Sequence, residues 1–103
     1  MKIKVFLEYK DYKILKSIIN KYKHILKIKP DYLDQGVMFF DQDAKYIEKE
    51  RFEIENIIPA FILLPKFFWE ENLINFEKLL SKNDPEVNYI FDKIISKISK
   101  LKD

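Results

Sequence analysis

The chain has no cysteine, no threonine, and a single glycine, histidine and arginine among 103 residues. Each scarcity removes a class of chemistry. Without cysteine there is no disulfide, no thiolate nucleophile and no cysteine zinc site. A loop that cradles phosphate by close backbone approach needs several glycines, and Gly36 stands alone. A nucleophile–base pair needs a hydroxyl or thiol beside a histidine. His24 falls on a Lys-rich helix face, which reads as a solvated position, and Ser17, Ser96 and Ser99 also fall on predicted helix faces. No apolar run reaches the ~20 residues of a membrane-crossing helix. The amino terminus enters an alternating pattern without the apolar segment of a secretory signal. A cytoplasmic protein is therefore expected, in the host cytoplasm if the source is a virus.

The remaining chemical candidate is acidic. Asp31, Asp34, Asp41 and Asp43 are dense enough to suggest Mg²⁺ or Ca²⁺, with Lys45 beside them, but they lack the EF-hand spacing. They read as turn and capping residues. No catalytic residue, metal or cofactor is expected, and no small-molecule substrate.

What is abundant is apolar and aromatic: 48% hydrophobic and 16% aromatic residues, alongside 35% charged ones. That composition belongs to a globular chain rather than a disordered one. The length fits a single domain over residues 1–103. Lys supplies 18 of the 19 basic residues, and Lys, Ile, Phe, Tyr and Asn together make up 55 positions. These residues have AT-rich codons, a bias that fits a viral, phage or mobile-element accessory protein.

Net charge is +2, unevenly placed. Residues 1–30 carry +7, residues 31–77 carry −7 and residues 78–103 carry +2. Such asymmetry points to a bipolar surface.

The stretch from Ile57 to Trp69 is the most apolar, with ten apolar residues in thirteen. Pro59 and Pro65 interrupt any helix there and push Ile58 and Leu64 towards extended geometry. Ala60 to Leu64 reads as a short extended piece buried on both sides, and Phe67 to Trp69 lead into the next helix.

Before it, residues 2–10 alternate as a half-buried strand, with Ile3, Val5, Leu7 and Tyr9 on one face. Phe6 is the exception on the charged face. Asp11 fits an N-cap. Ile14, Leu15, Ile18, Ile19, Tyr22, Ile25 and Leu26 then form a stripe at helical spacing, which predicts a helix over 12–28. Gly36 is expected at positive φ in the loop that follows. Residues 37–40 and 45–47 read as a hairpin about an Asp41–Ala44 turn. Residues 51–57 fit a strand by alternation, although a helical spacing is also present. A helix is predicted over 68–82. Asp84-Pro85-Glu86 is a strong helix start for a last helix over 85–101.

The expected fold is α+β: a small, mainly antiparallel sheet of three or four strands with about three helices, in the order β-α-β-β-(β)-α-α. Helices cover one face, and the other is expected to be charged and solvated.

Surplus aromatic residues without catalytic groups point to a binding protein. It would act on a protein partner, or as a homodimer, with Phe61, Phe67, Phe68 and Trp69 as the interface. The alternative is a nucleic-acid binder. Lys13, Lys16, Lys23 and Lys27 would span roughly 20 Å of the first helix at 1.5 Å per residue.

Overall fold

The computed structural model describes residues 5–26, 36–64 and 75–101, the last three by backbone only. The chain begins with strand β1 (Val5–Glu8), which runs without a loop into helix α1 (Tyr9–Lys21) and a single further turn, α2 (Lys23–Leu26). A hairpin of β2 (Met38–Phe40) and β3 (Tyr46–Ile47) follows, then helix α3 (Lys49–Glu55) and strand β4 (Phe61–Leu64). Residues 75–78 are helical and tighten into a 3₁₀ turn (Leu79–Lys82). Helix α4 (Pro85–Leu101) completes the described chain.

The four strands form one antiparallel sheet in the order β1-β4-β2-β3. The apolar stretch thus supplies an inner strand over Phe61–Leu64: β4 pairs Val5 with Leu64 on one side and Phe39 with Ile62 on the other. Helices α1 and α4 cover one face. Val5, Leu7, Phe39, Ile47, Ile62 and Leu64 point into a core shared with Leu15, Ile18 and Ile19 of α1 and Val87, Ile90 and Ile94 of α4. The expected α+β architecture is therefore the one observed, and α4 has the expected bounds.

Five local expectations are corrected. Alternation from residue 2 to 10 ends at Glu8, because Tyr9 already begins the helix. The Tyr9 N–H donates to the Ala60 carbonyl at 3.1 Å, so strand and helix share a residue without a linker. Asp11 is consequently inside the first turn, not its cap. It is 1% exposed and accepts a hydrogen bond from the Tyr89 hydroxyl at 2.8 Å. That bond raises the pKa of Tyr89, since ionising the phenol would set two anions together.

Residues 51–57 are not a strand; α3 occupies most of that range. In a strand Phe52 and Ile54 would share a face, whereas on a helix they point apart. Phe52 packs on the core while Ile54 is 80% exposed. An Arg51–Glu55 ion pair at 3.1 Å spans one helical turn. Asn56, at φ 53°, ends the helix in the left-handed conformation. Proline at 59 then holds the chain extended into β4.

The long first helix is interrupted. Tyr22 leaves helical geometry at φ −111°, ψ 26°, so α1 and α2 are separate turns of a broken element. Of the predicted helix over 68–82, residues 68–74 lie outside the described residues.

Gly36 is not at positive φ; among the described residues Ala44, Asn56 and Asn83 are. Ala44 closes the hairpin turn. Asp41 Oδ1 accepts from the backbone N–H groups of Asp43 and Lys45, both at 2.9 Å, and Ala44 N–H donates to the Asp41 carbonyl. Left-handed geometry is costly for a residue with a Cβ, and glycine avoids that cost with some loss of chain entropy. Ala44→Gly should therefore raise stability by roughly 0.5–1 kcal/mol in urea unfolding.

Candidate functional site

Two surfaces carry features that core packing does not require. The first is the outer face of the sheet. The pairing register alternates each strand about its plane. It places Phe6, Leu63 and Met38 in one cross-strand row, and Glu8, Phe61, Phe40 and Tyr46 in the next. Among the described residues this face is mainly aromatic, where a charged, solvated side is expected. Phe6 is 42% exposed, Met38 40%, Phe61 39% and Tyr46 55%. Phe40 sits between Phe6 and Tyr46, with ring centroids at 5.8 and 6.1 Å. Glu8 is the one charged residue in these rows, and Lys10 pairs with it at 3.3 Å. The Glu8 carboxylate raises the pKa of Lys10 in turn. One edge of the sheet is partly closed, since Lys97 of α4 donates to the Phe6 carbonyl.

The proline-flanked segment is extended as expected, over Phe61–Leu64, but it is not buried on both sides. Ile62 and Leu64 are buried, while Phe61 is exposed on the open face, so the segment is covered on one side only. Phe61, one of the expected interface residues, is accessible from that side. Phe67, Phe68 and Trp69, the other expected interface residues, lie outside the described residues.

The second surface is a cleft of about 320 Å³ between α1 and α3. Tyr9, Tyr12, Phe39 and Phe52 form its floor, and Lys13, Lys16, Lys49 and Glu53 surround it. The rings touch in series: Tyr12 meets Phe39 edge-on at 6.2 Å, Phe39 meets Phe52 at 4.8 Å, and Phe52 meets Tyr9 edge-on at 6.5 Å. Lys13 lies over the Tyr9 ring at 5.5 Å and Lys16 over Tyr12 at 5.8 Å, cation–π contacts that hold ammonium groups above the floor.

The predicted lysine stripe is only partly assembled. Lys13 and Lys16 line the cleft together, and Lys23 is exposed on α2, beyond the break at Tyr22. Lys27 lies outside the described residues, and so do Asp31 and Asp34. Asp41 is engaged in its turn, and among the described residues no group of three or more His, Cys, Asp or Glu is placed to hold a metal. His24 is exposed, as expected for a solvated residue.

Phe52 is hidden as a cleft residue because residues 51–57 read as a strand, and Lys49, just before them, falls in no predicted element although it begins α3. The open face was signalled only by Phe6, the apolar residue on the wrong side of an alternating strand. Phe40 and Tyr46 join it through pairing, which periodicity does not specify.

Among the described residues no helix is long and apolar enough to cross a membrane. Comparison with family models, curated proteins and solved structures finds no match to this chain, so function is argued from these two surfaces alone.

Proposed function

We propose that this is a non-catalytic binding protein whose contact surface is the open face of the sheet. Its occupant is a short apolar segment of a protein partner. The observation that carries the reading is the run of ring contacts Phe6–Phe40–Tyr46, which crosses two adjacent rows of the sheet, beside exposed Phe61 and Met38. Exposed apolar groups that are contiguous mark interaction sites, whereas scattered ones do not.

Area favours a partner segment over a second copy. At roughly 200 Å² per large side chain, the exposed fractions of Phe6, Met38, Tyr46 and Phe61 leave about 350 Å² open. Functional patches on monomers run to ~300–600 Å². A stable protein–protein interface takes ~800 Å² from each partner. The patch is thus large enough for one helix or strand of a partner and too small for a permanent homodimer.

Phe61→Lys and Tyr46→Lys place charge on exposed positions and should leave the fold intact. The pair of substitutions should reduce capture of the partner from native-host extract at least tenfold, since a desolvated unpaired charge costs several kcal/mol. Light scattering on the unmodified protein should give a monomer. Equal capture by the double variant and the unmodified protein would sink the proposed surface. A dimer that the two substitutions dissociate would replace the partner segment with a second copy of the chain.

A further inference from the structure

The cleft between α1 and α3 does not end at Phe52. Tyr9, Phe52 and Glu53 also wall a second hollow, of about 340 Å³, that runs on to Asn56, Ile57 and Ile58. Tyr9, Ile58 and Pro59 in turn wall a third, of about 470 Å³, bounded by Glu8, Lys10, Lys13 and Ala60. The second and third hollows thus meet at Ile58 and Pro59 and form one groove beside Tyr9. Tyr9 and Phe52 stand edge-on, with ring planes at 80°, so the second hollow offers a notch for one side chain. Ile58 is 79% exposed and Ile57 half-buried. Ile58 adjoins Ile57, Pro59 and the Tyr9 ring, so it belongs to a contiguous apolar wall rather than standing singly.

Charge differs between the two hollows. In the third, Lys10 is held by Glu8 at 3.3 Å. Lys13, whose ammonium lies over the Tyr9 ring at 5.5 Å, has no carboxylate partner among the described residues. Glu53 lines the second hollow and not the third. An acidic group is therefore attracted at the Lys13 end and repelled at the Glu53 end. The third hollow also adjoins the open sheet face, since Glu8 pairs across the strands with Phe61 and Ala60 precedes Phe61 in the chain. That face alone falls well short of the ~800 Å² that each side of a stable interface contributes.

We propose that the partner segment on the open face continues into this groove, with a carboxylate at Lys13 followed by an apolar side chain between Phe52, Ile57 and Ile58. This rests on the open face as the contact surface and adds the chemistry of the partner: an extended segment in which an acidic residue stands beside apolar ones.

The probe is the peptide acetyl-Leu-Asp-Leu-Leu-Asp-Leu-amide, titrated into the full chain and followed by backbone amide chemical shifts. Peptides with Asn or Lys in place of both Asp are its controls. The acidic peptide should shift residues 9–13 and 52–58 and bind more tightly than the Asn peptide, with the Lys peptide weakest. Lys13→Gln should weaken it about three- to fivefold, the range of an exposed ion pair. Ile58→Ala should weaken it about tenfold through lost apolar burial. Both positions are exposed, so the fold should survive either change. Tyr46→Lys, on the far edge of the sheet, should leave the affinity unchanged. Equal binding of the acidic and basic peptides, no shifts at these residues, or indifference to both groove substitutions overturns the proposal. Capture from native-host extract separates it from the open-face reading. Lys13→Gln with Ile58→Ala should weaken retention of the same partner that Phe61→Lys with Tyr46→Lys loses. Retention that only the Phe61 and Tyr46 pair reduces would remove the groove and leave the open face standing.

Discussion

Phe39→Ala should destabilise the protein by about 3–5 kcal/mol, the range for truncating a buried phenylalanine. Phe39 is 4% exposed and sits on β2 between Ile62 of β4 and Ile47 of β3. Its ring meets Tyr12 of α1 and Phe52 of α3, so one side chain ties the sheet to two helices. Removing it costs the transfer energy of the ring and leaves a cavity that its neighbours fill only in part. Phe52 is half-buried and has room to move inward, which places the loss nearer the lower end. Against a total stability of ~5–15 kcal/mol for a domain, the urea midpoint should fall sharply at unchanged slope. The adjacent residue supplies the control. Met38 is 40% exposed on the open face, and Met38→Ala should cost no more than ~0.5 kcal/mol. Equal losses at positions 38 and 39 would contradict the pairing register.

The second large effect is at Asp84. This residue ties the end of α1 to the start of α4. Its Oδ2 accepts from Lys21 Nζ at 2.8 Å and from the Tyr22 hydroxyl at 2.6 Å. Its Oδ1 accepts from the Glu86 N–H at 3.0 Å, capping α4. The Lys21 ammonium, then the Tyr22 hydroxyl, hold the carboxyl at a pKa of about 2. The same contacts raise the pKa of Lys21 and Tyr22. Lys21 is 60% exposed, so solvent screens its share, and the cap and the Tyr22 bond supply most of the stabilisation. Asp84→Ala removes all three contacts and should lower the Tm by about 4–8 °C.

The sign of the pH dependence follows from the lowered value. An unfolded Asp titrates near 3.9, so the folded state favours the ionised form. The contribution of Asp84 is complete above the unfolded value and is lost as pH falls from about 4 to about 2. Asp84→Asn keeps a good N-cap but does not titrate. Its Tm should lie between those of Asp84→Ala and the unmodified protein at neutral pH, with a shallower acid dependence. An acid dependence identical to that of the unmodified protein would mean that other carboxyls govern the acid limb.

How legible the protein is in its sequence varies with the range of the cause. The last helix is readable to the residue because Asp84-Pro85-Glu86 is a start signal and Val87, Ile90, Ile94 and Ile98 repeat over about three turns, all local facts. The hairpin about Asp41 was readable for the same reason, since the Asp41 side chain makes its own turn. Between Lys49 and Glu55 the chain is short enough to satisfy two periods at once. There the packing of Phe52 against Tyr9 and Phe39 accompanies the helix, and that contact depends on residues far away in sequence.

The candidate surfaces divide in the same way. Local pattern along the chain is enough for an α+β class, an ample apolar core, a strand in the proline-flanked stretch, and a supply of lysines and aromatic rings. It did not determine where they meet. Lys13 and Lys16 were visible as one face of a helix, but Lys49 joins them only because α3 packs beside α1. Phe6, Phe40 and Tyr46 lie on three different strands and come into contact only through sheet register. A binding surface of this kind is a property of pairing between distant segments, and periodicity along a single segment has no access to it.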